Sequence, residues 1–177
     1  MRGFLLEKPA EVTGMKTLLL LRHAKSSWKD TGLDDFDRPL NGRGQKAAPQ
    51  MGKFLRKQKV QPELVLSSPA ERARQTTALV MEAARLAAPL RYDERIYEAS
   101  ARQLLEVVSQ IEEDAQVVLL VGHNPGLEQL LELLTGAREA MPTAALAQIS
   151  LDVDKWSKVR EQSGRLERLV KPKELDL

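Results

Sequence analysis

Apolar positions along the chain fall into two kinds of run. Thr17-Leu18-Leu19-Leu20-Leu21, Leu64-Val65-Leu66 and Val117-Val118-Leu119-Leu120-Val121 are short and apolar at consecutive positions. Side chains of a strand alternate between its faces, so such runs predict strands covered by helices on both sides. Between them the apolar spacing widens to three and four. Ala47, Met51, Phe54 and Leu55 fall at i, i+4, i+7 and i+8. Pro49 inside that pattern belongs in a first turn or at a kink, since it has no N–H to donate. Ser68-Pro69 reads as an N-cap followed by proline at the first helical position, and Ala73, Thr76, Thr77, Val80 and Ala84 share one face of the helix it opens. Ser100 and Gln103 form a capping box ahead of Leu104, Val107, Val108 and Ile111. Asn124-Pro125 opens a further helix carrying Leu127, Leu130, Leu131 and Leu134, with Gly136 as its stop.

The last third changes character. Leu146, Ile149, Leu151 and Val153 lie in a partly alternating strand from Ala145 to Val153, and Leu166 to Val170 forms a second that pairs with it antiparallel. Trp156 and its basic neighbours read as an edge-strand surface. The pattern is β-α-β-α-(β)-α-β-α-β-β, an α/β sandwich with a mostly parallel sheet. At 177 residues the expectation is one domain over 15–177, preceded by a flexible leader at 1–14.

Composition narrows the chemistry. The chain has no cysteine, which excludes disulfides, thiolate zinc sites, iron–sulfur clusters and cysteine nucleophiles. It has two histidines, too few for a three-histidine metal site. A net charge of +2 makes no case for nucleic acid. The longest early apolar run, Leu18–Leu21, falls far short of the ~20 residues of a membrane span. With no cleavable signal pattern either, the expected location is the cytoplasm, with no membrane partner.

Both histidines follow strands. Arg22-His23 comes after the first, Gly122-His123-Asn124 after the third, and Ser67-Ser68 after the second, with Arg72 a turn further on. Ligands of open α/β sheets bind at the carboxyl ends of strands. Two arginines there suit a phosphate, to which each guanidinium presents a fork of donors. Helix N-termini near Ser68 and Asn124 aim N–H groups at the same anion. One neutral imidazole serves as nucleophile toward phosphorus, and a second, protonated one stabilises the transition-state charge. Neither a Walker A nor a Gly-x-Gly-x-x-Gly sequence is present.

Leu21-Arg22-His23-Ala24-Lys25 resembles the Arg-His-Gly signature of the histidine phosphatase, or phosphoglycerate mutase-like, superfamily. Ser67 to Thr76 resembles its Ser-x-x-x-Arg-Ala-x-Gln-Thr stretch, and Gly122-His123-Asn124 its second histidine motif. The run Arg22–Trp28, the Asp37-Arg38-Pro39-Leu40 stretch and the small size resemble the SixA-type phosphohistidine phosphatase branch. The resemblance implies a three-layer α/β/α sandwich with a mostly parallel mixed sheet. It implies a cofactor-free, metal-independent phosphatase in which His23 becomes phosphohistidine, Arg22 and Arg72 clamp the phosphate, and His123 bonds the phosphoryl group. The substrate would be phosphohistidine, another phosphorylated protein, or a small phosphorylated metabolite. Ala24 stands where the signature has glycine, so its backbone must take ordinary dihedrals and its methyl must stay clear of the pocket. Glu98 is the candidate general acid, with the Asp30, Asp34, Asp35, Asp37 loop as an alternative source and a solvated acidic loop as its plainer reading. Lys25, Lys29 and Trp28 are candidates for the pocket mouth. Arg38 is a candidate ligand for a substrate anion or a partner of a neighbouring aspartate. Asn124 contacts the phosphate or caps its helix. The competing functions are a phosphoglycerate mutase-like phosphotransferase and a non-catalytic phospho-ligand binding module.

Overall fold

The computed structural model describes residues 15–175, so the leader expected at 1–14 lies outside the described residues. Six strands form one sheet: β1 (Lys16–Arg22), β2 (Leu64–Ser67), β3 (Leu90–Tyr92), β4 (Val117–Gly122), β5 (Leu146–Leu151) and β6 (Gly164–Val170). Their order is β3-β2-β4-β1-β5-β6. The β3–β2, β2–β4 and β4–β1 pairs are parallel, while β5 runs antiparallel to β1 and β6 antiparallel to β5. The mixed, mostly parallel sheet expected from the hydrophobic runs is therefore the sheet found. β3, for which no apolar run marked a position, is a short and largely exposed edge strand.

Strand alternation sorts the core into two layers. Leu18, Leu20, Leu64, Leu66, Val118 and Leu120 pack on one side with α3 (Ala101–Ser109) and α4 (Gly126–Thr135). Leu19, Leu21, Val65, Leu119 and Val121 pack on the other with α1 (Gly42–Lys57) and α2 (Glu71–Ala84). Both faces of β1 are thus covered, and burying each leucine contributes about 1.5–3 kcal/mol. Trp156 is a correction: it is fully buried in the first of these clusters, and its indole N–H donates to the Ala115 carbonyl at 2.7 Å. No helix among the described residues is long and apolar enough to cross a membrane.

Helix ends depart from the local rules in three places. α1 starts at Gly42, capped by the Asn41 side chain, which accepts from the Gly44 N–H. Pro49 consequently lies in mid-helix, leaving the Gln45 carbonyl without its usual donor. α2 starts at Glu71, with Ala70 rather than Ser68 at the N-cap. α4 starts at Gly126 behind Pro125, and Asn124 does not cap it. The Ser100–Gln103 capping box and the left-handed Gly136 (φ 78°) are as expected.

Candidate active site

The register of β1 on β4 pairs Arg22 with Gly122, so the next residue of each strand, His23 and His123, emerges at the same level. The His23 N–H donates to the Gly122 carbonyl at 3.0 Å, and the two imidazole centroids are 5.1 Å apart. On the far side of β4, the Ser68 N–H donates to the Val121 carbonyl at 3.0 Å. Arg72, in the first turn of α2, completes the cluster. Three parallel strands thus end around one point, where open α/β sheets bind ligands.

Hydrogen bonds assign the protons of both imidazoles. His23 Nδ1 lies 2.7 Å from the Ala24 carbonyl oxygen, which can only accept; the proton is on Nδ1 and the Nε2 lone pair is free. His123 Nε2 lies 2.7 Å from Ser68 Oγ. That hydroxyl accepts from the Ala70 N–H, and Nε2 is the one acceptor for its own proton among the described residues, which puts the His123 proton on Nδ1. Ser68, read in the sequence as a helix cap, instead orients the second histidine. Ala24 is fully buried with a negative φ, its methyl packing in the layer of α1 and α2 and its N–H donating to Thr76 Oγ1 at 2.9 Å. The methyl does not block the site.

Four buried polar atoms here have no partner among the described residues: Arg22 Nε, Arg72 Nε, His123 Nδ1 and Asn124 Oδ1. Three are donors. Leaving buried donors unmade is costly, about 1–3 kcal/mol each, unless something fills the space between them. Burial, followed by the nearby arginines, pushes the His23 pKa down to about 4, opposed by the Ala24 bond. Burial, followed by coupling to the His23 imidazole and the charge of Arg72, pushes His123 down to about 3. Low polarity and the neighbouring arginines favour the neutral form of His123, an N–H donor, over the protonated imidazole expected from the sequence. Burial also lowers Arg22, whose Nη1 donates to the Met141 carbonyl at 3.0 Å.

The acidic loop is more than a solvated surface. Asp35, in a short turn at Asp35–Asp37, meets Arg72 twice: Arg72 Nη2 donates to its Oδ2 at 3.0 Å and Nη1 to its backbone carbonyl at 2.6 Å. The Tyr97 hydroxyl donates to the same carboxylate at 2.7 Å and Arg38 Nη2 at 2.9 Å. These bonds, Tyr97 first, hold Asp35 far below the ordinary carboxylate range, and burial with the Asp35 bond raises Tyr97 to about 12. Tyr97 stands edge-on to both Phe36 and His123. Neither Tyr97 nor the role of Asp35 was legible in the sequence. Arg38 is committed to Asp35 and Ser26 Oγ (2.7 Å) and stacks on Trp28, so it is a loop anchor rather than a free anion ligand.

The remaining candidates sit further out. Asn124 Nδ2 donates to Glu128 Oε1 and the Met141 carbonyl, both at 2.8 Å. Lys25 is exposed, and Lys29 and Trp28 lie outward on the same loop. Glu98 is exposed in a left-handed conformation (φ 53°). It lines a cavity of about 580 Å³ with Asp35, Arg72, Tyr97, Gln103, His123 and Asn124. Among the described residues, no three His, Asp or Glu side chains are grouped so as to hold a metal ion.

This architecture and motif set have relatives. Residues 18–104 match the model of the histidine phosphatase superfamily, branch 1. The Agrobacterium tumefaciens protein solved as a candidate phosphohistidine phosphatase SixA is 32% identical, covering 89% of this chain and 98% of its own, with a TM-score of 0.77. The chain belongs to the histidine phosphatase superfamily, in its SixA-type branch. Within that superfamily it is also similar to an uncharacterised chloroplastic protein of Arabidopsis thaliana, 32% identical over 89% of this chain and 78% of the relative. An uncharacterised Mycobacterium tuberculosis protein is 39% identical over 64% of this chain and 69% of its own length.

Proposed function

We propose that this histidine phosphatase hydrolyses a phosphorylated protein side chain, phosphohistidine foremost, or a small phosphorylated molecule, through a phosphohistidine at His23 and without a metal ion. The observation that carries the reading is the free Nε2 of His23, faced by the unpartnered donors of Arg22, Arg72 and His123. A phosphoryl group between them takes N–H bonds on its oxygens while Nε2 attacks phosphorus. The P–N or P–O bond of the substrate breaks, and the leaving group departs on the side opposite His23. Water then attacks the phosphorus, the bond to His23 breaks, and inorganic phosphate leaves. The depressed His23 pKa supports this role, because the nucleophile stays neutral at pH 7. Asp35, held ionised, is no proton donor. A leaving imidazole carries its own proton, so a phosphohistidine substrate needs no carboxylic acid. The Asn124 amide completes the site wall, its side chain fixed by Glu128 and Met141.

The test is intact-protein mass after rapid quench with phosphoramidate, kept alkaline. Wild type should gain one phosphoryl group and His23→Ala none. Equal labelling of both proteins, or undiminished turnover by His23→Ala, overturns the reading. Tight phosphate binding with neither labelling nor turnover favours the binding-module alternative.

A further inference from the structure

We infer that Glu98 makes this site select its leaving group by charge, favouring neutral or cationic groups over anionic ones. The inference rests on the phosphatase reading above and deepens it. In-line displacement puts the leaving group opposite the attacking His23 Nε2. His23 does not itself line the 580 Å³ cavity, whereas Arg72 and His123 do, with the two imidazole centroids 5.1 Å apart, so a leaving group directed away from His23 projects into that cavity. Its described lining holds two carboxylates, Asp35 and Glu98, against one guanidinium, Arg72. That guanidinium is already matched: both terminal nitrogens go to Asp35, and only Nε faces the phosphoryl position. The other cation close to Asp35, Arg38, is spent on Asp35 and Ser26. Once the phosphoryl dianion has taken Arg22 Nε and Arg72 Nε, no unpaired cation remains among the described lining residues for a second anionic group. The rest of the wall, Tyr97, Ser100, Gln103 and Gln129, offers neutral hydrogen-bonding groups. The bonds that match Arg72 and Arg38 neutralise Asp35 equally, so Glu98 is the uncompensated charge of the described wall: a leaving group bearing a carboxylate meets a like charge there, and one bearing an ammonium or imidazolium an opposite one.

The experiment compares kcat/KM for two aryl phosphates of matched shape, 4-(aminomethyl)phenyl phosphate and 4-(carboxymethyl)phenyl phosphate. The methylene insulates the phenol, so intrinsic reactivity changes little between them. Wild type should prefer the cationic probe by about tenfold at low salt, less at high salt, as expected for partly screened charges. Glu98→Gln should shrink that ratio, and Glu98→Lys should reverse it. Glu98 is exposed and makes no hydrogen bond or ion pair among the described residues, so its variants keep the fold. Because both probes share one site, an altered rate common to both leaves the ratio unchanged, and only a charge effect moves it. Equal kcat/KM in wild type, or a ratio unmoved by Glu98→Gln and Glu98→Lys, overturns the inference while leaving the phosphatase reading intact. Failure of wild type to hydrolyse either probe or to be labelled by phosphoramidate overturns the phosphatase reading, and the inference with it.

Discussion

In the proposed chemistry Arg72 divides one guanidinium between two anions. Its terminal nitrogens hold Asp35, which fixes the plane of the fork, and its unpartnered Nε is the donor for a phosphoryl oxygen. Lysine, a single point charge, cannot serve both directions. Arg72→Ala should therefore lower kcat/KM with phosphoramidate by about 10²–10³, as removal of one preorganised donor does. Steady-state kinetics check it, and a wild-type value would remove Arg72 from the chemistry. The four residues Arg22, His23, Arg72 and His123 were legible because each stands at a strand end or in the first turn after one, a position that sequence alone defines. Asp35 was not, because it is one of four aspartates in the segment from Asp30 to Asp37, and its partners Arg72 and Tyr97 are 37 and 62 residues away. Ser68 fails for the opposite reason. Ser-Pro is a sound local signal for a helix start, but here the hydroxyl bonds the imidazole of His123 across the end of β4.

At the scale of elements, five of the six strands and the four helices followed from periodicity, whereas no apolar run marked β3 and α1 was misplaced at its start. Its first turn holds no apolar residue, and the reason lies in a close approach rather than in a pattern. A Cβ on Gly44 would stand only 2.2 Å from the Lys25 carbonyl oxygen and 2.9 Å from the Lys25 nitrogen. The absence of a side chain lets α1 begin directly against the segment that leaves β1 through His23 and Ala24, and the Asn41 N–H donates to that same Lys25 carbonyl at 2.9 Å. Backbone cannot retreat as a flexible side chain can. Gly44→Ala should cost ~2 kcal/mol or more of stability, within the range of overpacking in well-packed interiors. It should also depress kcat, because the displaced strand exit carries His23, the proposed nucleophile. Urea unfolding together with kinetics checks both, and a stable variant with normal kcat would show that α1 does not position His23.

Across the whole molecule, the site's cost shows up as a dependence of stability on pH. The chain has two histidines and no cysteine, so between pH 5 and 7 the side-chain titration belongs to His23 and His123. Unfolded, each has a pKa near 6.5. Folded, they fall to about 4 and about 3, chiefly because burial disfavours the imidazolium. In that interval the unfolded chain binds more protons, so stability is full above pH 6.5 and falls as pH drops toward 4. Two such groups give a slope approaching ~2.7 kcal/mol per pH unit. Asp35 acts in the same direction but only lower, since an ordinary aspartate titrates near 3.9. The urea midpoint should consequently decline from pH 7 to pH 5, and His123→Gln should remove about half of that decline. Inorganic phosphate adds the converse effect: a dianion seated between the arginines favours the charged imidazoles, raises both folded pKa values and flattens the slope. A midpoint that stays constant from pH 7 to pH 5 would mean that both imidazoles remain solvated, and the picture of a dry, preorganised pocket behind the nucleophile would fail with it.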